Sequence, residues 1–296
     1  MLKVLILGVT GFIGRNLTEY FKIGNKYELL IPGRNKLDIM NEKNVELYLK
    51  NNQPDVVIHA AIHNPGKDTS KDISKILEYD LRMYYNFEKC SKFYGKMLYF
   101  GSGAEYDKTY DIKKVTETDI GRSIPKNDYG LAKYIINQSI RESKNIYNLR
   151  VFGLYGPYEN WKTTFISGAC CKAVKGVPIT IRQNVFFDYL WIEDFCKIVE
   201  WFVNHTPKYH DYNVVSGRAI DLLSLSSIIR KVSKKDLPVY VCQEGFAKEY
   251  TANNDRLLNE IGEFEITEHI EGIKKLYNWY EQQKDKIDLY SLLYQY

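Results

Sequence analysis

The chain has 296 residues, 45% hydrophobic and 26% charged, with a net charge of +4. That is the range of a soluble globular protein with one large α/β domain, or a large and a small one. The charge is mild and forms no dense Lys/Arg block, five cysteines include no C-x-x-C pair, and no apolar run reaches transmembrane length; nucleic acid, a disulfide framework, a metal site and a membrane are therefore not expected, and a cytoplasmic setting is.

The first apolar run, Val4-Leu5-Ile6-Leu7, reads as a buried strand, and Arg15–Phe21 as the start of an amphipathic helix. Between them lies Gly8-Val9-Thr10-Gly11-Phe12-Ile13-Gly14. A glycine-rich turn between a strand and a helix N-terminus lets the backbone approach a pyrophosphate, which the helix amides and dipole attract. Tyr27–Ile31 reads as a second strand, Glu42–Lys50 as a helix and Asp55–His59 as a third strand. A long helix over Ile73–Tyr94, a strand over Lys96–Phe100, a helix over Tyr129–Glu142 and a strand over Tyr147–Phe152 follow. This alternation predicts a doubly wound parallel sheet of the Rossmann type, with ligands at the carboxyl ends of its strands.

After Gly156-Pro157 the pattern loosens. Phe165–Val174, Phe195–Val203, Leu222–Val232 and Ile266–Tyr280 read as helices, and Phe186–Ile192 and Tyr212–Val215 as strands. The expected organisation is a dinucleotide-binding domain over residues 1–157 and a smaller mixed α/β lobe over 158–296, with segments around 185–215 returning to the first domain. The tail, Ile287–Tyr296, is rich in Tyr and Leu and could pack on the body or on a partner.

Tyr129-Gly130-Leu131-Ala132-Lys133 places a phenol and an ammonium one helical turn apart. A lysine near a phenol favours phenolate, so the tyrosine can exchange a proton with an alcohol or carbonyl oxygen. The spacing alone says little, since it recurs at Tyr85/Lys89, Tyr110/Lys114, Tyr158/Lys162 and Tyr280/Lys284. Its place after a fourth strand singles out Tyr129/Lys133. Ser102 ends that strand, where its hydroxyl could bond a substrate oxygen.

Together these segments resemble the extended short-chain dehydrogenase/reductases, which include nucleotide-sugar epimerases, dehydratases and reductases. The resemblance runs through the glycine loop, Pro54–Ala61, Ser102, Tyr129/Lys133, Arg150–Pro157, Asp188–Asp194 and Tyr212–Gly217. It implies that Tyr129 is the acid/base, that Lys133 binds the nicotinamide ribose and tunes Tyr129, and that Ser102 polarises the substrate carbonyl. It places Gly8, Thr10, Gly11, Phe12, Ile13, Gly14, Ala60, Ala61 and Phe152 against the cofactor, and a nucleotide sugar beside His63, Asn160, Lys162 and Arg182. It further implies a homodimer through Ile73–Tyr94 and Tyr129–Glu142.

Departures from the family pattern narrow the chemistry. Asp80 stands where an asparagine is frequent, and Phe187 where many relatives have an arginine for the nucleotide diphosphate. Dehydration needs an Asp-Glu pair directly after the serine, but Gly103-Ala104 follow Ser102, and alternation would turn Glu105 to the other side. Leu29–Ile39 is similar to the matching segment of GDP-L-fucose synthase-like 4-keto-sugar reductases. Arg34 there suits a 2′-phosphate, favouring NADP over NAD, and Asp38 and Ile39 would flank the adenine. The cysteine and histidine used for epimerisation in that group are missing, Ala104 standing at the cysteine position and Thr163–Ser167 holding no histidine. The expectation is NADP-dependent reduction of a nucleotide-activated 4-keto-6-deoxysugar at C4. An NAD-dependent 4-epimerase is the alternative, and a non-catalytic dinucleotide binder a more distant one.

Overall fold

A computed structural model describes residues 1–63 and 72–293. Strand β1 (Leu2–Leu7) leads into helix α1 (Phe12–Lys22), followed by β2 (Tyr27–Leu30), α2 (Glu42–Asn52), β3 (Val56–His59), α3 (Ile76–Glu88) and β4 (Lys96–Ser102). Next come β5 (Ile112–Val115), α4 (Asp128–Arg141), β6 (Ile146–Val151), β7 (Gly153–Tyr155), α5 (Phe165–Lys175), β8 (Ile179–Asn184) and β9 (Phe186–Trp191). The chain continues through α6 (Ile192–Asn204), β10 (Asp211–Val214), β11 (Ala219–Asp221), α7 (Leu222–Ser233), β12 (Val239–Phe246) and β13 (Tyr250–Ala252). It closes with α8 (Asp255–Ile261), α9 (His269–Glu281) and α10 (Leu289–Leu293).

The central sheet is parallel, in the order β10-β6-β4-β3-β1-β2. Its inner strands are buried on both faces, and β1 shows how. Val4 and Ile6 pack with Leu17 and Phe21 of α1 in one apolar cluster. Leu5 and Leu7 pack in the other with Val45 and Leu49 of α2, Tyr84 and Phe87 of α3, and Ile136 and Ile140 of α4. Alternate residues thus serve opposite faces, and the strand reads as a continuous apolar run. The chain leaves β1 towards β2 at one edge, then crosses back to β3 on the other side of β1. That reversal opens a crevice at the carboxyl ends of β1 and β3.

A second sheet has the order β11-β9-β13-β5, with β7 also pairing β9, and β12 pairs β8 as a separate ribbon. The doubly wound sheet is as expected, but several boundaries differ. The helix expected over Ile73–Tyr94 is interrupted. A 3₁₀ turn over Ile73–Lys75 is capped by Asp72, α3 stops at Glu88, and a further 3₁₀ turn covers Ser91–Phe93. Apolar spacing does not mark these breaks, because a 3₁₀ turn nearly preserves it. The last residues of the Tyr/Leu-rich tail, 294–296, lie outside the described residues; Ile287 and Leu292 of that tail are buried on the body. Among the described residues, no helix is long and apolar enough to cross a membrane.

A polar layer interrupts the apolar core between β6 and β10. Asn148 and Arg150 share a face of β6, and Asp211 and Asn213 oppose them on β10. Arg150 is fully buried and bonds Glu105 Oε2 at 2.7 Å and Asp211 Oδ2 at 2.9 Å. Arg141 and Arg256 reach the same aspartate. Removing one partner of a buried ion pair leaves the other charged and unsolvated, at a cost of about 3–5 kcal/mol. Arg150→Met should lower stability by about that amount, read as a lowered urea midpoint with an unchanged slope.

Candidate active site

The glycine loop sits at the crevice. Gly8 has φ +75°, and a Cβ there would lie 2.6 Å from Ala60 O, at the end of β3. A Cβ on Gly14 would lie 2.2 Å from Gly8 O. Only glycine permits this approach of the ends of β1, β3 and α1. Gly11 is the N-cap residue of α1, with extended backbone and no side-chain cap. The Gly11 amide bonds Gly8 O at 2.9 Å, and the first helical bond runs from the Arg15 amide to Gly11 O. The amides of Phe12, Ile13 and Gly14 therefore point out of an uncapped helix end, a ready anion cradle. Thr10 is exposed at its rim, and Ala60 and Ala61 are partly buried beside it.

Arg34 is exposed in the turn after β2, as a 2′-phosphate ligand requires. The Asp38 carboxylate instead folds its own turn, accepting the Met40 amide at 3.1 Å, while the Asp38 amide bonds Asn44 Oδ1. Ile39 is held by its carbonyl, which accepts from Asn86 Nδ2 at 2.9 Å.

Three hydroxyls converge at the end of β4. Ser102 Oγ accepts the Ala104 amide at 3.2 Å as the chain leaves the strand in a 3₁₀ turn. The phenols of Tyr129 and Tyr250 lie near enough that the Ser102 hydroxyl offsets part of the pKa rise that burial gives each of them. Tyr129 is placed by α4, whose N-cap Asn127 accepts the Gly130 amide at 2.8 Å. Gly130 lets the helix close on the loop, because a Cβ there would lie 2.7 Å from Ala104 O.

Lys133 is buried one turn later. Its Nζ donates to Tyr99 Oη at 2.7 Å and to Phe100 O at 2.9 Å, and lies 5.8 Å from the Tyr129 ring centroid. The expected pull of Lys133 on the Tyr129 phenol is thus corrected: the ammonium hydrogen-bonds Tyr99. Burial pushes the Tyr129 phenol up to about 12, Asp80 and Glu105 add to the rise, and the Ser102 hydrogen bond opposes it. Burial lowers the Lys133 pKa, against the opposing charges of Asp80 and Glu105. Asp80 is itself buried on α3 and accepts the His63 amide at 2.7 Å.

Glu105 lies on the Gly101 face of β4, opposite the Ser102 side chain: a Cβ on Gly101 would lie 2.2 Å from Glu105 Oε1. The 3₁₀ turn after Ser102 leaves it fully buried there, with Oε1 accepting the Ser102 amide at 3.0 Å. Its other oxygen is taken by Arg150. The carboxylate is fully engaged by Arg150, Asn148 and the Ser102 amide.

The residues expected against the sugar are less gathered. His63 packs edge-on against Tyr79, with Nε2 2.9 Å from Asp72 O. Asn160 organises its own turn, accepting the Lys162 amide on Oδ1 and Thr164 Oγ1 on its carbonyl. Lys162 is exposed beside Trp161, and Arg182 is exposed on β8. Phe152 packs against Tyr250 at 4.9 Å and Tyr106 at 6.0 Å. Sequence reasoning missed Tyr99, Tyr250 and His59. Among 25 tyrosines no local pattern marks Tyr99 or Tyr250.

Backbone amides aimed out of a helix end at the switch point of a doubly wound sheet define a Rossmann-type dinucleotide-binding protein. A model of the NAD dependent epimerase/dehydratase family matches residues 4–215; the chain belongs to that family and is an NAD(P)-dependent oxidoreductase. It is 22% identical to GDP-L-colitose synthase of Yersinia pseudotuberculosis, over 96% of this chain and 99% of that protein. It is 21% identical to GDP-6-deoxy-D-mannose reductase of Pseudomonas aeruginosa, over 80% of this chain and 82% of that one. Among solved structures it resembles a GDP-L-fucose synthetase from Naegleria fowleri bound to NADP, with a TM-score of 0.81 at 16% identity, covering 96% and 95% of the two chains.

His59, at the end of β3, is buried between the rings of Phe87 and Tyr99. Burial and the Lys133 charge lower its pKa from 6.5 to about 4. As pH falls, the unfolded chain therefore takes up this proton first. The His59 contribution is constant above about pH 6.5 and stability is lost between about 6.5 and 4, by up to about 3 kcal/mol. Urea midpoints at pH 7 and pH 5 should fall less in His59→Leu than in the parent.

Proposed function

We propose that the protein is an NADPH-dependent reductase of the C4 keto group of a nucleotide-activated 4-keto-6-deoxysugar. The observation that carries this reading is the state of Glu105. The acid nearest Ser102 is bound by Arg150, Asn148 and the Ser102 amide, so it is not available as the additional acid or base of dehydration. Ala104 is buried where epimerisation would need a cysteine. What is left is a pair of hydroxyls, Ser102 and Tyr129, over a buried lysine, which is the set carbonyl reduction requires. Relatives named as a GDP-L-colitose synthase and a GDP-6-deoxy-D-mannose reductase support the substrate class.

The uncapped amides of Phe12, Ile13 and Gly14, with Gly8, Thr10 and Gly11, would hold the cofactor pyrophosphate. Arg34 would pair with its 2′-phosphate, and Asp38 and Ile39 would border its adenine through their backbone turn. Ala60, Ala61 and Phe152 would line its inner half, and Tyr129 and Lys133 would meet the nicotinamide ribose. Bound NADPH supplies the hydride. Ser102 donates a hydrogen bond to the carbonyl oxygen, and Tyr129 delivers the proton as that oxygen becomes an alkoxide. A phenol held high by burial is protonated at neutral pH and so is ready to act as the acid.

NADPH oxidation with GDP-, dTDP- and UDP-linked 4-keto-6-deoxysugars tests this directly. One NADPH should be consumed per sugar reduced. Copurified NAD and C4 inversion without net consumption would overturn it in favour of an epimerase. Tyr129→Phe should lower kcat by about 10²–10⁴-fold with little change in NADPH affinity. Arg34→Ala should raise KM for NADPH about tenfold and leave that for NADH unchanged, since a single charge-assisted contact is removed.

A further inference from the structure

Tyr250 enters the site from the second sheet. It sits on β13, between β5 and β9, and is buried. Phe152 and Phe187 pack against its ring at 4.9 and 5.7 Å, and Lys108 Nζ lies 4.3 Å from its centroid. Held so, its hydroxyl reaches the residue next to Ser102: a Cβ on Gly103 would lie 2.5 Å from Tyr250 Oη. Gly103 is therefore a glycine for the sake of this phenol and of the Phe152 edge, 2.7 Å from the same point.

The hydrogen-bonding capacity of Ser102 gives that contact a meaning. A serine hydroxyl has one proton and two acceptor sites. The Ala104 amide fills one acceptor site at 3.2 Å. We propose that Tyr250 is a positioning residue for Ser102, donating its phenol proton into the second acceptor site and so turning the single Ser102 proton towards Tyr129 and the carbonyl oxygen. This rests on the reductase reading above. Burial raises the Tyr250 pKa far above neutral, so the phenol remains a donor throughout the working range. Without it, the Ser102 proton can rotate away from the substrate, and the oxygen of the substrate loses a fixed donor as it gains charge.

A double-mutant cycle tests the coupling. Tyr250→Phe keeps the ring and its packing, and Ser102→Ala removes the group it is held to act on. In the parent background, Tyr250→Phe should lower kcat about tenfold, the loss of one hydrogen bond, with NADPH affinity by fluorescence titration unchanged. In the Ser102→Ala background the same change should cost less than about twofold. Equal losses in both backgrounds would make Tyr250 a packing residue and overturn the proposal, as would a Tyr250→Phe enzyme as fast as the parent. Should Tyr250→Phe fail to fold, 2,3,5-trifluorotyrosine at 250 keeps the hydroxyl and lets pH remove the donor. Its kcat should then fall at an alkaline pH where that of the parent holds, and a profile identical to the parent overturns the proposal. Tyr129→Phe run in parallel separates the two readings: an active Tyr129→Phe enzyme ends the reductase assignment, whatever Tyr250 does.

Discussion

The bond between Glu105 and Arg150 holds the site in place. Both side chains are fully buried, in the protein interior where an unpaired charge is least tolerable. Glu105 accepts the Ser102 amide and so defines how the chain leaves β4. Arg150 is tied in turn to Asp211, so the carboxyl end of β4 is coupled through β6 to the edge strand β10. Gly101 makes room for the pair, because a Cβ there would lie 2.2 Å from both Asn148 Oδ1 and Glu105 Oε1. Small residues around Ser102 are thus a consequence of what is buried beneath it. The carboxylate nearest Ser102 is thus taken up in holding the end of β4.

The same economy of charge runs through the cluster behind Tyr129. Lys133, Asp80, His59 and Tyr99 are all buried, and their environment sets which of them is ionised. Burial keeps His59 neutral, so the ammonium faces no second cation there. Asp80 supplies an opposing charge from α3, and the Lys133 ammonium donates separately to a phenol and to a carbonyl. Such an arrangement sacrifices stability to hold ionisable groups in fixed geometry around one phenol, a common feature of catalytic centres.

Much of this was legible in the sequence, for identifiable reasons. Buried parallel strands are continuous apolar runs, so β1, β3, β4 and β6 could be read directly. The glycine loop was legible because its spacing has a steric cause, visible in the Gly8–Ala60 and Gly14–Gly8 approaches. β12 was not, because it is almost entirely exposed and has no buried face to impose a period. β5, β11 and β13 are three or four residues long, too short to show one. Glu105 falls on the face opposite the Ser102 side chain, as alternation suggests, although β4 ends at Ser102 and a 3₁₀ turn carries it there. Tyr250 was beyond reach, since its role depends on a contact between residues 102 and 250, and local pattern carries no information about that separation.

The polar ladder between β6 and β10 also has a consequence in time. A chain emerging from the ribosome presents Glu105 and Arg150 some sixty residues before Asp211 can join them. Until then Arg150 lacks half its anionic partners, and the sheet lacks its last strand. Long-range pairing of this kind delays closure of a fold. The nucleotide-binding half, though nearly complete by residue 151, therefore reaches its final form only when the chain returns to it through β10. Synthesis order and sheet order are out of step here, and the ion network is where they are reconciled.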